Sequence, residues 1–167
     1  IALATGSPFI TTSLAGREAE WPTLLPQLDR AGRIAADKGL QFTYHNHWQE
    51  FDAPPGTSAF DRLAAATDPA LVGLELDLGW ARKAGRDPMA LWRQLGPRIP
   101  QIHLRDYDTA AGQVCDVGDG FIDLSRTFAQ ARELGTRWLI YEQDRYPASA
   151  LESCRVCSQR WARVRQG

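Results

Sequence analysis

The sequence has no apolar run approaching the roughly 20 residues that a membrane helix needs, and its start lacks the basic-then-apolar pattern of a secretion signal. No membrane partner is expected, and a cytoplasmic location is the default. The chain begins Ile1-Ala2-Leu3 without an initiator methionine, which leaves room for a preceding part and for any address it carried. Lysine and arginine form no block and the formal net charge is −1, so nothing draws the chain to nucleic acid by long-range attraction. Its three cysteines, Cys115, Cys154 and Cys157, are an odd and sparse set that excludes a disulfide framework. Cys154 and Cys157 have the spacing of a redox pair. They also fall on a helical stripe with Leu151, Trp161 and Val164, where cysteine serves as a small hydrophobe.

The 167 residues, 44% hydrophobic and 23% charged, suit one globular unit over 1–167 with a core of its own. Apolar runs alternate with helical patterns. Ile1 to Ile10 reads as a buried strand running into a loop, and Pro22 to Lys38 as a helix that Gly39 ends. Gln41–His47, Leu71–Gly79, Ile99–Asp106 and Arg137–Gln143 read as strands. Helices follow around Ser58 to Ala66, after the Asp87-Pro88 start, after Asp123, and from Ser149. This alternation predicts βαβ units and a parallel sheet.

Alternation within the strands separates an open sheet from a barrel. Leu74, Leu76 and Leu78 share one face while Glu75 and Asp77 share the other. Helices cover both faces of a doubly wound sheet, so one polar face implies a barrel interior instead. Thr43, His45 and His47 have the same inward parity, as do Gln101, His103 and Arg105, and Ile140 with Glu142. The clusters His45-Asn46-His47, Asp77, His103 and Glu142 therefore meet near the C-terminal strand ends, where (β/α)₈ barrels build their sites. Imidazole and carboxylate converging there predict a metal site. The fold class is thus α/β, a TIM barrel of which this chain holds the C-terminal five strands. Its first βα units are expected to be missing, and an isolated five-strand arc would expose interior side chains and two open sheet edges, which predicts a homo-oligomer or a complementing N-terminal half.

At these positions the chain resembles the xylose-isomerase-like TIM-barrel superfamily, in its branch of sugar phosphate isomerases and epimerases. The matching stretches are Tyr44 to Phe51, Leu76 to Trp80, His103 to Asp106, Val117 to Asp123 and Tyr141 to Asp144, in the order of the family's strands four to eight. The resemblance implies one divalent ion, commonly held by Glu, Asp, His and Glu. Carried over by position, the ligands are His45, Asp77, His103 and Glu142. Parity alone leaves His45 and His47 open as ligand. Many relatives read Glu-Asn-His where this chain reads His45-Asn46-His47, a departure from the two-glutamate pattern of the epimerases. Carboxylates suit Mn²⁺ or Mg²⁺ and imidazoles favour Mn²⁺, Co²⁺, Fe²⁺ or Zn²⁺, with Mn²⁺ preferred overall.

The expected chemistry is isomerisation or epimerisation of a sugar or keto-sugar, by proton abstraction next to a carbonyl through an enediolate that the ion stabilises. Glu142 is the proton-transfer group and His47 a second base or substrate contact. Trp48 and Glu50 are placed to meet a sugar ring. Arg105 reads either as a substrate contact, through its planar fork, or as an ion-pair partner. Glu75 reads as a paired carboxylate deep in the barrel. The segment Val117-Gly118-Asp119-Gly120 lacks a Walker lysine and reads as a loop closing one side of the mouth. The rivals are a lyase or hydratase acting on 3-keto-glycosides or inosose, and a non-catalytic sugar-binding half-barrel. An endonuclease-like role would need more ligands and a basic surface.

Overall fold

The computed structural model describes residues 1–14, 17 and 20–166. A turn of helix α1 (Ala2–Thr5) leads to β1 (Phe9–Thr12), α2 (Trp21–Ala36), β2 (Gln41–His45), α3 (Ala59–Ala66) and β3 (Val72–Asp77). There follow α4 (Leu78–Lys83), α5 (Pro88–Leu95), β4 (Gln101–Leu104), the short pair β5 (Asp106–Asp108) and β6 (Gln113–Cys115), α6 (Leu124–Leu134), β7 (Trp138–Tyr141) and α7 (Ala150–Gln166). The helices start where side chains can satisfy their free amides. Ser58 accepts from the Asp61 amide, Asp87 from those of Met89 and Ala90, and Asp123 from that of Arg126.

The main sheet has the order β1-β2-β3-β4-β7, and each neighbouring pair is parallel. It is a curled half-barrel. Its outward face packs under the helices, with Leu74, Leu76, Ile102 and Leu104 fully buried, as are Leu63 of α3 and Trp92 of α5. The curl brings the lower ends of the two edge strands close together: the rings of Phe9 on β1 and Trp138 on β7 meet edge to face at 5.3 Å. The Arg137 guanidinium lies over the Phe9 ring at 4.9 Å. Above this aromatic closure the inward residues form a polar layer. Thr11 and Thr43 share a hydrogen bond of 2.7 Å, and Thr43 donates to Gln101 at 2.9 Å.

Four expectations change. Ile1 and Leu3 are exposed in α1, and the first strand starts only at Phe9, because Gly6 in the left-handed conformation ends a helical turn there. The third strand stops at Asp77, whose carboxylate accepts the Trp80 amide at 2.8 Å and so opens α4 two residues before the expected strand end. The stripe of α7 is turned: Leu151 and Cys154 are exposed, while Ser153 and Cys157 are buried and Trp161 and Val164 pack against the core. Finally, the interior of the arc is not laid open, since Thr43, Glu75 and Gln101 are all buried. Curling and mutual hydrogen bonding cover what a flat five-strand sheet would expose.

Candidate metal centre

Parallel pairing in register sets the site. His45 stands beside Glu75, and Asp77 beside His103. The amide of Glu142 extends the β4–β7 pairing by donating to the Leu104 carbonyl at 3.3 Å. Adjacent strands of one parity thus deliver His45, Asp77, His103 and Glu142 to one place, with one potential ligand atom from each lying within 4.8 Å of all the others.

Glu75, one pleat below, takes part in orienting the imidazoles. Its Oε1 lies 3.0 Å from His103 Nε2 and 3.4 Å from His45 Nδ1, and its Oε2 accepts from Thr11 at 3.2 Å. A carboxylate behind a ring nitrogen is the usual support of a metal-bound histidine, because it selects the tautomer that leaves the other nitrogen free to ligate. With Glu75 on Nε2, the His103 atom turned to Glu142 is Nδ1. His45 Nδ1 is buried and, despite its approach to Glu75, lacks an aligned hydrogen-bond partner among the described residues; Asn46 Nδ2 lacks one there as well.

Arg105 crosses the site. Its side chain is buried; Nε donates to Asp77 at 2.9 Å, Nη2 pairs with Glu142 at 2.6 Å, and Nη1 pairs with Asp144. The guanidinium also stacks over the Trp80 ring at 4.4 Å. The motif Asp77-Leu78-Gly79-Trp80 explains this placement: Asp77 caps α4, Trp80 supplies the ring, and Gly79 leaves room for the arginine. A Cβ on Gly79 would lie 2.6 Å from the Arg105 carbonyl oxygen and 2.7 Å from its Cγ. Of the two readings of Arg105, the ion pair is the one formed.

The ionisation states follow from these contacts. Burial would lower the His103 pKa, but Glu142 and Glu75 outweigh it and raise the group to about 9. His103 lowers Glu142 to about 2, with Arg105 adding to its effect against burial. Glu75 is likewise held at about 2, the two histidines overcoming burial. Burial raises Asp77 despite Arg105. His47 falls below its ordinary value through burial and the nearby charges of His45 and Arg105. Four carboxylates (Glu75, Asp77, Glu142 and Asp144) thus face one guanidinium and one imidazolium, an acid excess that a divalent cation would neutralise. Two imidazoles and two carboxylates make a donor set that fits such an ion.

The remaining expected residues separate. His47 stands beside the cluster, its ring 4.9 Å from that of His45 and its Nδ1 3.1 Å from the Ser13 hydroxyl. Trp48 is partly exposed, with the Lys83 ammonium 5.3 Å over its ring. Glu50, expected to meet a sugar ring, is turned into the protein. It is fully buried, and its carboxylate accepts from the Tyr44 hydroxyl at 2.8 Å and the His47 amide at 3.0 Å, so it anchors the turn that carries His47. A sequence cannot show that the turn Gln49–Phe51 folds this acid inward. The glycine loop has an internal anion: Asp106 accepts from the amides of Tyr107, Gly118, Gly120 and Ile122. A Cβ on Gly120 would lie 2.2 Å from the Tyr107 carbonyl oxygen, so that position requires glycine. Asp144 escaped sequence reasoning; its only signal was its place in the stretch Tyr141 to Asp144.

Residues 1–160 match the family model described as xylose isomerase-like TIM barrel. The chain belongs to this family. Inosose dehydratase of Geobacillus kaustophilus (strain HTA426) is 32% identical over 151 residues, 80% of this chain and 48% of that protein. The chain thus spans about half the length of the curated relatives it matches. Among solved structures, a sugar phosphate isomerase/epimerase from Parabacteroides distasonis ATCC 8503 superposes with a TM-score of 0.78 at 24% identity, covering 93% of this chain and 59% of that one. A xylose isomerase-like TIM barrel protein from Mycobacterium smegmatis, in complex with magnesium, gives a TM-score of 0.73 at 18% identity, covering 98% of this chain and 62% of that one. These two structural likenesses bear on the fold. No helix among the described residues is long and apolar enough to cross a membrane.

Proposed function

We propose that this chain carries the metal-binding part of a divalent-metal-dependent lyase that removes water from a keto-sugar or keto-cyclitol. The observation that carries the reading is the convergence of His45, Asp77, His103 and Glu142 within 4.8 Å. When bound, a divalent ion would supply Lewis-acid polarisation of a substrate carbonyl. Asp77 is fully buried, so it is suited to holding rather than to proton transfer. Glu142 is the more open carboxylate of the cluster, with 36% of its side chain exposed, and it is ionised at neutral pH. It is therefore the group that takes the proton from the carbon next to the carbonyl. The same proton can pass to the departing hydroxyl, so that water leaves and the carboxylate is restored. His47, neutral at pH 7, hydrogen-bonds the substrate from the end of β2.

Two observations favour elimination over epimerisation. By the family resemblance His45 falls where a two-carboxylate epimerase has its first glutamate, and the curated relative named above is a dehydratase. Isomerisation through the same deprotonated carbon is the second reading, supported by the likeness to the Parabacteroides distasonis structure. Mass analysis of products in D₂O, with an inosose and a panel of ketoses, separates the two. Loss of one water supports the lyase; deuterium uptake at unchanged skeleton supports the isomerase. Glu142→Gln is expected to reduce turnover by about 10²–10⁴-fold. Full turnover in that variant, or no stoichiometric ion in the purified chain, would rule the reading out.

A further inference from the structure

Beside the metal centre lies a cavity of about 390 Å³, a volume suited to a small-molecule substituent. Its wall includes Trp80 and Lys83 of α4, Tyr107 and Gln113 of the β5–β6 pair, and Asp144 and Arg145 beyond β7. We infer that this cavity is an anion subsite, which takes a carboxylate or phosphate carried by the substrate of the neighbouring centre. The inference rests on the proposed function and adds to it a substrate class, a negatively charged sugar or sugar-like acid.

The first ground is charge. Lys83 and Arg145 both line the cavity, and neither has an ion-pair partner among the described residues. The one acid in the wall, Asp144, is engaged by Arg105. The wall therefore offers unneutralised positive charge. Lys83 is held there without being neutralised: its ammonium rides 4.8 Å over the Trp80 ring and 5.3 Å over the Trp48 ring, contacts with neutral groups that leave its charge uncancelled.

The second ground is position. Trp80 and Asp144 both touch Arg105, which in turn touches Asp77 and Glu142. One substrate can therefore present its carbonyl end to the ligand cluster and its anionic end to Lys83 and Arg145. The hairpin β5–β6 forms the opposite wall, in the loop after β4, the kind of segment that sets specificity on a barrel.

Three probes on one ring scaffold test the subsite: glucose, glucuronate and glucose 6-phosphate, titrated calorimetrically into the full chain. The two anionic probes are expected to bind at least about tenfold more tightly than glucose, and their ratio distinguishes a carboxylate site from a phosphate site. Lys83→Gln and Arg145→Gln, both at exposed positions, should each weaken the anionic probes by about tenfold and leave glucose unchanged. Equal binding of all three probes, or an anion preference that survives both substitutions, overturns the inference. Metal content of the same samples keeps the two readings apart. An ion without anion preference removes the subsite alone, whereas anion preference without an ion removes the lyase and leaves the subsite.

Discussion

The lower and upper ends of the curled sheet come from the same strands and the same inward parity, yet they are held by different forces. At the lower end the rings of Phe9 and Trp138 meet, and Thr11, Thr43 and Gln101 join in neutral hydrogen bonds. Every group named there finds its partner inside the protein. At the upper end four carboxylates outnumber their cations, Arg105 is buried among three of them, and His45 Nδ1 and Asn46 Nδ2 have no aligned hydrogen-bond partner among the described residues. Buried charge and unpaired polar atoms are expensive to keep. The lower end is thus satisfied by protein partners alone, while the upper end keeps charge and polar atoms that its own groups do not balance. Glu75 joins the two, bonded downward to Thr11 and upward to His103, with His45 Nδ1 3.4 Å away.

The contrast can be broken most forcefully at Asp77. Asp77→Ala removes a ligand and a partner of the buried Arg105, and should destabilise the metal-free chain by about 3–5 kcal/mol in chemical denaturation. A loss below about 1 kcal/mol would mean that the charged network does not hold the upper end. Glu75→Gln leaves all four ligands in place and alters only their support. It should weaken metal binding by about 10–100-fold in a competition titration, and unchanged affinity would remove Glu75 from the site.

The state of His103 sharpens the comparison through pH. Its pKa is raised to about 9, so its charge stabilises the metal-free chain fully below the unfolded value near ~6.5, and this contribution is lost as pH rises through about 9. Because only a neutral imidazole ligates, metal uptake at pH 7 must expel this proton. Calorimetry in two buffers of different ionisation heat should detect about one proton released. Apparent affinity should climb with pH, by up to about tenfold per unit, towards pH 9. Affinity flat across that range would exclude His103 as a ligand. At the lower end the effect is smaller and of another kind. Thr43→Val strands the Gln101 carbonyl oxygen and should cost about 1–3 kcal/mol in stability while leaving metal affinity within about twofold.

Much of this was open to reading along the chain. The caps Ser58, Asp87 and Asp123 announced their helices, because a short polar side chain before an apolar repeat has few other uses. Strand parity placed Glu75, Asp77, His103 and Glu142 on one face. Other features were concealed by ambiguity. Asp77 ends a strand as a ligand would and starts a helix as a cap does, and only the second use shows where β3 stops. The β5–β6 pair has three residues per strand, too few for a periodicity to register. Glu50 sits in a polar loop like any exposed acid, yet Tyr44 and the His47 amide draw it inside.

By itself the sequence determined the alternation of strand and helix, the inward parity, and the kinds of atom that reach the barrel mouth, since all of these depend on neighbours a few residues apart. Only the tertiary structure decided which partner each group takes. Arg105 was left between substrate and ion pair until the curl placed Asp77, Glu142 and Asp144 around it. Glu75 had no partners until two other strands brought His45 and His103 against it. Such pairings join residues on different strands, tens of positions apart, and depend on the register and curl of the whole sheet, which no local pattern encodes.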